Sequence, residues 1–207
     1  MVVRFLIFFL GLTFLALGIA TVTCAGLGTG TISSVAFVLS EASGLSLGLF
    51  VFLTNVFFFF LQIGIDWKQW WLKALKQIPI CFIFATLVDV AMKIMALVPW
   101  NHYAEQFLMV IVGTILTGFG ISSLVFARLA ILPPEGFVLS IMKRWGGSFG
   151  NLRTGVDVFL VVVTVILSWS LFGTIIGLRE GTLTTALFAG QVSKICLKGW
   201  EHLFHQY

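Results

Sequence analysis

Charged residues are scarce in this 207-residue chain, where lysine, arginine, aspartate and glutamate together make up only 10% of the residues. Three long stretches carry no charge at all: they lie between Arg4 and Glu41, between Glu105 and Arg128, and between Asp157 and Arg179. Crossing a bilayer takes about 20 consecutive apolar residues. The lack of charge therefore excludes a soluble domain and predicts transmembrane helices.

Residues that bind metals or form disulfides are equally few. The three cysteines stand singly, with no Cys-x-x-Cys pair. His202 and His205 are spaced to share a metal ion, but such a pair more often forms a solvated helix end. Gly26–Gly30 is glycine-rich, yet no soluble strand precedes it, as a phosphate-binding loop would require. The sequence predicts no catalytic residue, no metal site and no cofactor, and so not an enzyme.

Apolar residues account for 59% of the chain and fall into blocks of membrane-spanning length. Two further apolar pieces, at about 31–40 and 134–142, are too short to cross. The predicted spans lie at about 5–26, 45–64, 79–98, 106–127, 154–173 and 182–200. We expect a single membrane domain over residues 1–207.

The chain also contains what reads as the same unit twice. Gly11 and Gly18 recur as Gly113 and Gly120, a spacing of 102, and the tetrapeptide 37–40 recurs at 137–140. Such order predicts internal repeats over about 1–102 and 103–207, and repeats of this kind are typical of transporters. The glycine pairs, seven residues apart, also suit close helix packing.

The distribution of lysine and arginine along the chain predicts the topology. If both short pieces are re-entrant, every basic segment except Arg179 falls on one side, with both termini cytoplasmic. Each half then holds three spans, an odd number. The predicted fold is an all-α polytopic membrane protein with about six transmembrane helices plus two re-entrant half-helices, in an inverted-topology 3+3 repeat.

The tips of the two short pieces are the candidate binding site. The first tip is Gly28, Thr29, Gly30 and Thr31, and the second is Pro133, Pro134 and Glu135. Both resemble helix starts. Two converging helix N-termini would offer N–H groups to an anion near the midplane. The alternative, left open, is a glycine-rich turn and a proline turn without a ligand.

Charges inside the spans add to this prediction, because they are costly in a membrane. Asp157 and its repeat mate Asn55 could face each other and complete the site; alternatively, Asp157 caps its own helix beside Arg153. We expect Glu135 to pair with Arg128. Asp89 and Lys93, four residues apart, should form a structural ion pair.

Residues 66–78 combine tryptophan and lysine in the pattern of an amphipathic helix on the cytoplasmic leaflet. Membrane lipid is therefore a predicted partner, and nucleic acid is not. A second copy of the chain, as a homodimer, is left open.

Three short motifs carry a family resemblance: the Gly-x-Gly of the first tip, Pro133-Pro134-Glu135, and Ser148-Phe149-Gly150 ahead of the span that holds Asp157. They resemble the bacterial YczE/YyaS/YitT-like integral membrane proteins. The resemblance implies a bacterial inner-membrane protein and says little about its substrate. The first tip departs from it, since Thr29-Gly30-Thr31 replaces the proline-acid pattern.

These observations favour a small secondary transporter or channel for a small anionic, zwitterionic or polar solute. The alternative is a substrate-binding or accessory subunit of a larger transport complex, which has a similar length but no need of inverted repeats.

Overall fold

The computed structural model describes residues 2–68, 70–99, 102–147 and 149–204, and the regular secondary structure in this part of the chain is entirely α-helical. Its helices are α1 (Val2–Cys24), α2 (Thr31–Ser43), α3 (Leu47–Ile65), α4 (Trp70–Met95), α5 (Tyr103–Ala127), α6 (Pro133–Trp145), α7 (Phe149–Phe172) and α8 (Glu180–Phe204). The predicted spans and short pieces each correspond to one of these helices, which confirms the all-α polytopic fold class.

Five helices in the described part are long and apolar enough to cross a membrane. They are α1, α3, α5, residues Lys76–Met95 of α4 and Asn151–Phe172 of α7. The sixth predicted span falls on α8, which has 25 residues but does not meet the same test of apolarity. Lys194 and Lys198 interrupt its apolar residues.

The helices α2 and α6 have 13 residues each. At 1.5 Å per residue each is about 20 Å long, well short of a hydrocarbon core of about 30 Å. Glycine and proline set their ends: Gly44 ends α2 in the left-handed conformation, with φ 69°, and Pro133 and Pro134 form the first turn of α6.

The predicted surface helix over residues 66–78 is not a separate element. From Trp70 the chain continues as one helix to Met95, with Pro79 inside it. The side chains of Trp70, Trp71 and Lys73 lie outside the described residues, so their predicted contact with lipid stays a prediction.

The helices α1 and α5 form the central contact, and glycine makes it close. A Cβ atom at Gly18 would lie 2.7 Å from the carbonyl oxygen of Gly113, and one at Gly120 would lie 2.8 Å from that of Gly11. Because the α5 partner number falls as the α1 number rises, the two helices run antiparallel. The predicted role of these glycines in helix packing is confirmed.

The remaining contacts are arranged symmetrically about this pair. In each half the fourth helix packs on the first, so α4 lies on α1 and α8 on α5. Each short helix packs on the third helix of the other half, so α2 lies on α7 and α6 lies on α3. The main apolar core, with Leu12, Ala16 and Val88, lies where α1 meets α4.

Candidate functional site

An ion pair on α7 is the centre of the candidate site. Arg153 and Asp157 stand one helical turn apart, and the Nε atom of Arg153 donates to Oδ2 of Asp157 at 3.3 Å. Each side chain is 24% exposed. At this burial the two charges are only partly screened by solvent, so their pairing matters for insertion into a membrane.

Both short helices begin at this ion pair. Thr31, the first residue of α2, donates its hydroxyl hydrogen to Oδ1 of Asp157 at 2.8 Å. Glu135, in the first turn of α6, accepts from Nη1 of Arg153 through Oε1 at 2.7 Å. A continuous network of Thr31, Asp157, Arg153 and Glu135 therefore joins the two N-termini. We call these four residues the polar network.

Three of the predicted site residues thus come together: Thr31, Glu135 and Asp157. The prediction of the partner of Glu135 was wrong. Glu135 pairs with Arg153 and not with Arg128. Arg128 ends α5 in the left-handed conformation, with φ 52°. The sequence indicated Arg153 only as a neighbour of Asp157, although its spacing of four residues was already visible.

The rest of the first tip packs against the start of α8. Gly28 has φ 108°, and a Cβ there would meet the backbone nitrogen of Arg179 at 2.9 Å. The backbone N–H of Thr29 donates to the carbonyl oxygen of Gly177 at 3.1 Å and to Thr182 Oγ1 at 3.2 Å. This N–H group is therefore already used within the protein and does not await an anion.

Gly30 differs from Gly28, because it needs no special backbone conformation. It precedes α2 with φ −63° and makes no side-chain cap. A Cβ there would meet only Ser33 Oγ, at 3.4 Å. The position next to Thr31 is therefore the roomier of the two.

The start of α6 is a poor anion site, contrary to the expectation of two matching helix N-termini. Pro133 and Pro134 carry no N–H, and Gly136 donates its own to the carbonyl oxygen of Leu132 at 2.9 Å. Among the first three residues of α6, only Glu135 therefore keeps an N–H group that is free of helix hydrogen bonds. The two prolines are buried and serve as a rigid first turn.

Asn55 does not face Asp157 as expected. Its Nδ2 atom donates to the carbonyl oxygen of Val51 on its own helix at 2.8 Å, and it is 3% exposed. Among the hydrogen bonds of the described residues, none joins it to Asp157, whose partners are Thr31 and Arg153.

Two buried polar contacts were missed by sequence reasoning. Ser34 of α2 shares a hydrogen bond of 2.7 Å with Thr164 of α7. Gly136 of α6 lies against Gln62 of α3, whose Oε1 is 2.7 Å from the position of a Cβ on that glycine. The predicted repeat spacing of 102 relates Ser34 to Gly136 and Gln62 to Thr164, so the two contacts are equivalent and either one predicts the other.

A cavity of about 270 Å³ lies away from the polar network, where α2 ends and α3 begins. Asp89 lines it and accepts from the backbone N–H of Gly48 at 2.7 Å. The expected pairing of Asp89 with Lys93 is wrong, since no ion pair between them occurs in the described part of the chain. Asp89 instead binds a free N–H of the first turn of α3.

The prediction that the chain has no metal site can be compared with the structure only in part. No group of three or more histidine, cysteine, aspartate and glutamate side chains in the described ranges is placed to hold a metal ion. His205 and Ser148, which the sequence singled out, lie outside those ranges.

Comparison with known proteins adds one finding. No curated protein and no solved structure matches this chain. Residues 2–198 match a family that is described as a Family of unknown function, DUF6198. That match spans all eight helices except the end of α8, so the chain, with the polar network at its two short helices, belongs to the DUF6198 family.

Proposed function

We propose that this protein is a small secondary transporter or channel, which moves a small zwitterionic, anionic or polar solute across the bacterial inner membrane. The observation that carries the proposal is the polar network, where a partly buried arginine and two carboxylates meet the N-termini of two helices too short to cross. Charged groups in a membrane helix mark solute or ion paths more often than they serve packing.

The arrangement of the helices supports an inverted repeat. The helices α1 and α5 are repeat mates that run antiparallel, and a two-fold axis between them would exchange their glycine contacts. The same axis would exchange the packing of α2 on α7 with that of α6 on α3. With the basic residues on one side, the proposed topology has α2 and α6 re-entrant from opposite faces and both termini cytoplasmic.

The unused hydrogen-bonding capacity of the network favours a zwitterion. Arg153 uses Nε and Nη1, and its Nη2 takes part in none of the hydrogen bonds of the described residues. A solute carboxylate can accept a charge-assisted hydrogen bond from Nη2. A solute ammonium group can then lie beside Asp157 or Glu135.

Binding and transport by the purified chain test this proposal. Thermal unfolding is first measured with glycine, alanine, acetate and formate as probes, because a ligand that binds the folded state raises the unfolding temperature. A probe that stabilises the protein is then supplied in labelled form to proteoliposomes that contain this chain alone. We expect uptake by the wild type and a loss of tenfold or more in Asp157→Asn.

Glu180→Gln is the matched control, because Glu180 pairs with Arg179 at an exposed position outside the network. It should keep wild-type uptake. A wild-type protein that binds none of the four probes, or an Asp157→Asn variant with full uptake, would contradict the proposal.

An accessory subunit of a larger transport complex is the second candidate, and the exposure of α7 favours it. Only 17% of the most apolar part of α7 is buried, against 56% for that of α1. A partner protein could cover this face and share the network. Binding of a probe without uptake into proteoliposomes would favour this candidate over the transporter.

The motifs that resemble the YczE/YyaS/YitT-like proteins are consistent with either candidate. In the structure Pro133, Pro134 and Glu135 start α6, and Glu135 belongs to the polar network. We therefore propose that these motifs mark the solute site and not a turn outside the membrane.

A further inference from the structure

Three buried oxygen atoms are without a hydrogen-bond donor in the part of the chain that the structure describes. They are Oε1 of Gln62, Oε1 of Gln77 and Oε2 of Glu135. Gln62 is 4% exposed and Gln77 is 7% exposed. Native proteins pair nearly all buried acceptors, so three of them around one helix start indicate a missing binding partner.

All three belong to segments that meet where α6 begins. Gln62 of α3 points its Oε1 at Gly136, the residue after Glu135. Gln77 of α4 donates its Nε2 to the carbonyl oxygen of Ile131 at 3.1 Å, two residues before Pro133. Its amide is therefore fixed with Nε2 toward this carbonyl, which leaves Oε1 as the acceptor.

The charges of the polar network do not balance. Glu135 and Asp157 are two carboxylates, and Arg153 is the one cation bound to both. With both carboxylates and the guanidinium group ionised, the three side chains sum to one negative charge among apolar helices. Such a net charge is unfavourable in a membrane. One further positive charge would neutralise the network.

The backbone at the start of α6 leaves few donors for these oxygen atoms. The first two residues of α6 are prolines without N–H groups, and the N–H of Gly136 is taken by Leu132. Carboxylate and amide oxygens are hard ligands, which suit alkali and alkaline-earth cations better than transition metals. A net charge of one selects a monovalent ion over a divalent one.

We infer that Gln62, Gln77 and Glu135 form a binding site for one dehydrated alkali-metal cation at the start of α6. The site shares Glu135 with the proposed solute site, but cation binding there requires no solute. The cation contacts Oε2 of Glu135, whereas Arg153 keeps Oε1. Occupation therefore leaves the polar network in place and neutralises it.

Thermal unfolding of the purified full chain in detergent tests this inference. Sodium chloride is replaced by choline chloride at constant ionic strength and pH, with no solute probe present. Because a ligand stabilises the folded state by mass action, the unfolding temperature of the wild type should rise with sodium by a few degrees and then saturate.

Gln62→Met removes one acceptor and leaves the Glu135–Arg153 ion pair intact. We expect this variant to lose the sodium-dependent rise and to be at least as stable as the wild type in choline, because an unpaired acceptor has been removed. Glu135→Gln should lose the rise as well. Gln191→Met is the matched control at an exposed position of α8, and it should keep the full rise.

The inference would be overturned if the unfolding temperature of the wild type did not change with sodium. It would also be overturned if Gln62→Met kept the full sodium-dependent rise. If Glu135→Gln does not fold, Gln62→Met and Gln77→Met decide the question. Failure here leaves probe binding and uptake untouched, so it can be told apart from failure of the proposed function.

Discussion

At the scale of single residues, Arg153 organises the polar network. Its guanidinium group binds Glu135 of α6 and Asp157 of its own helix, which in turn accepts from Thr31 of α2. Arginine suits this position because its planar group carries several donors in fixed directions. Each of the four residues therefore depends on the others for its position.

Thr31→Val tests the outermost bond of the network. The change removes the hydroxyl that donates to Asp157 at 2.8 Å and keeps the shape of the side chain. A hydrogen bond to a charged group contributes about 1.5–3 kcal/mol, and partial exposure lowers this, so we expect a loss of about 1–2 kcal/mol in the free energy of unfolding. Denaturant unfolding in detergent measures it.

Thr31→Ser should restore most of this stability, because it restores the hydroxyl. Thr13→Val is the control, since the Thr13 hydroxyl donates only to the carbonyl oxygen of Phe9 on its own helix. Equal losses in Thr31→Val and Thr13→Val would show that the bond to Asp157 is not special.

At the scale of helices, glycine decides how closely α1 and α5 approach. The contact involves backbone atoms on both sides, because Gly18 faces Gly113 and Gly11 faces Gly120. Without a hydrophobic effect between helices in lipid, such close packing is a main source of association. The central pair of helices therefore depends on four small residues.

Gly18→Ala should separate this pair. The added Cβ would lie 2.7 Å from the carbonyl oxygen of Gly113 and 2.6 Å from the backbone nitrogen of Thr117, and backbone cannot rotate away. We expect a loss of about 1–3 kcal/mol, measured as a lower unfolding temperature and an aggregated fraction on size-exclusion chromatography. Gly113→Ala should behave alike.

Gly190→Ala is the matched control for the α1–α5 contact. A Cβ at Gly190 would meet nothing within 4 Å, and alanine favours a helix over glycine by about 0.5–1 kcal/mol. Its stability should be unchanged or higher. If Gly18→Ala is as stable as Gly190→Ala, the α1–α5 contact is looser than the structure indicates.

At the scale of the whole molecule, the two halves exchange their short helices. The helix α2 packs on α7, and α6 packs on α3. Each short helix therefore packs on a helix of the other half. The polar network and the contact of Gln62 with Gly136 both lie across this exchange. A site made in this way requires both halves of the chain.

Labelling of single cysteines tests the proposed topology. In a background without Cys24, Cys81 and Cys196, cysteines replace exposed residues at the helix ends. Those expected to react from the cytoplasm are at Val3, Lys68 and Trp145, and those expected to react from outside are at Ser43, Leu97 and Ile175. The physical reason is the one-sided distribution of lysine and arginine.

The comparison of Val3 with Lys68 is decisive for α2. If α2 is re-entrant, the two cysteines react from the same side, and if α2 crosses the bilayer they react from opposite sides. Leu97 and Trp145 give the corresponding comparison for α6, where a re-entrant helix places them on opposite sides.

The sequence by itself determined the class of this protein and its helices. Long runs without charge can only be buried in lipid or protein, and glycine and proline end helices locally, so the start of α6 at Pro133 and the left-handed end of α2 at Gly44 follow from neighbouring residues. The repeat spacing likewise indicated the glycines of α1 and α5 before their contact was known.

The tertiary structure alone decided which polar groups meet. Arg128 and Arg153 were both candidate partners of Glu135, and Glu135 pairs with Arg153. Asp89 has Lys93 one turn away, but it accepts from the N–H of Gly48. Such choices depend on distances between helices that are far apart in the chain, and local sequence does not encode them. The side chain of Gln62 is buried against Gly136 for the same reason: α6 packs on the third helix of the other half.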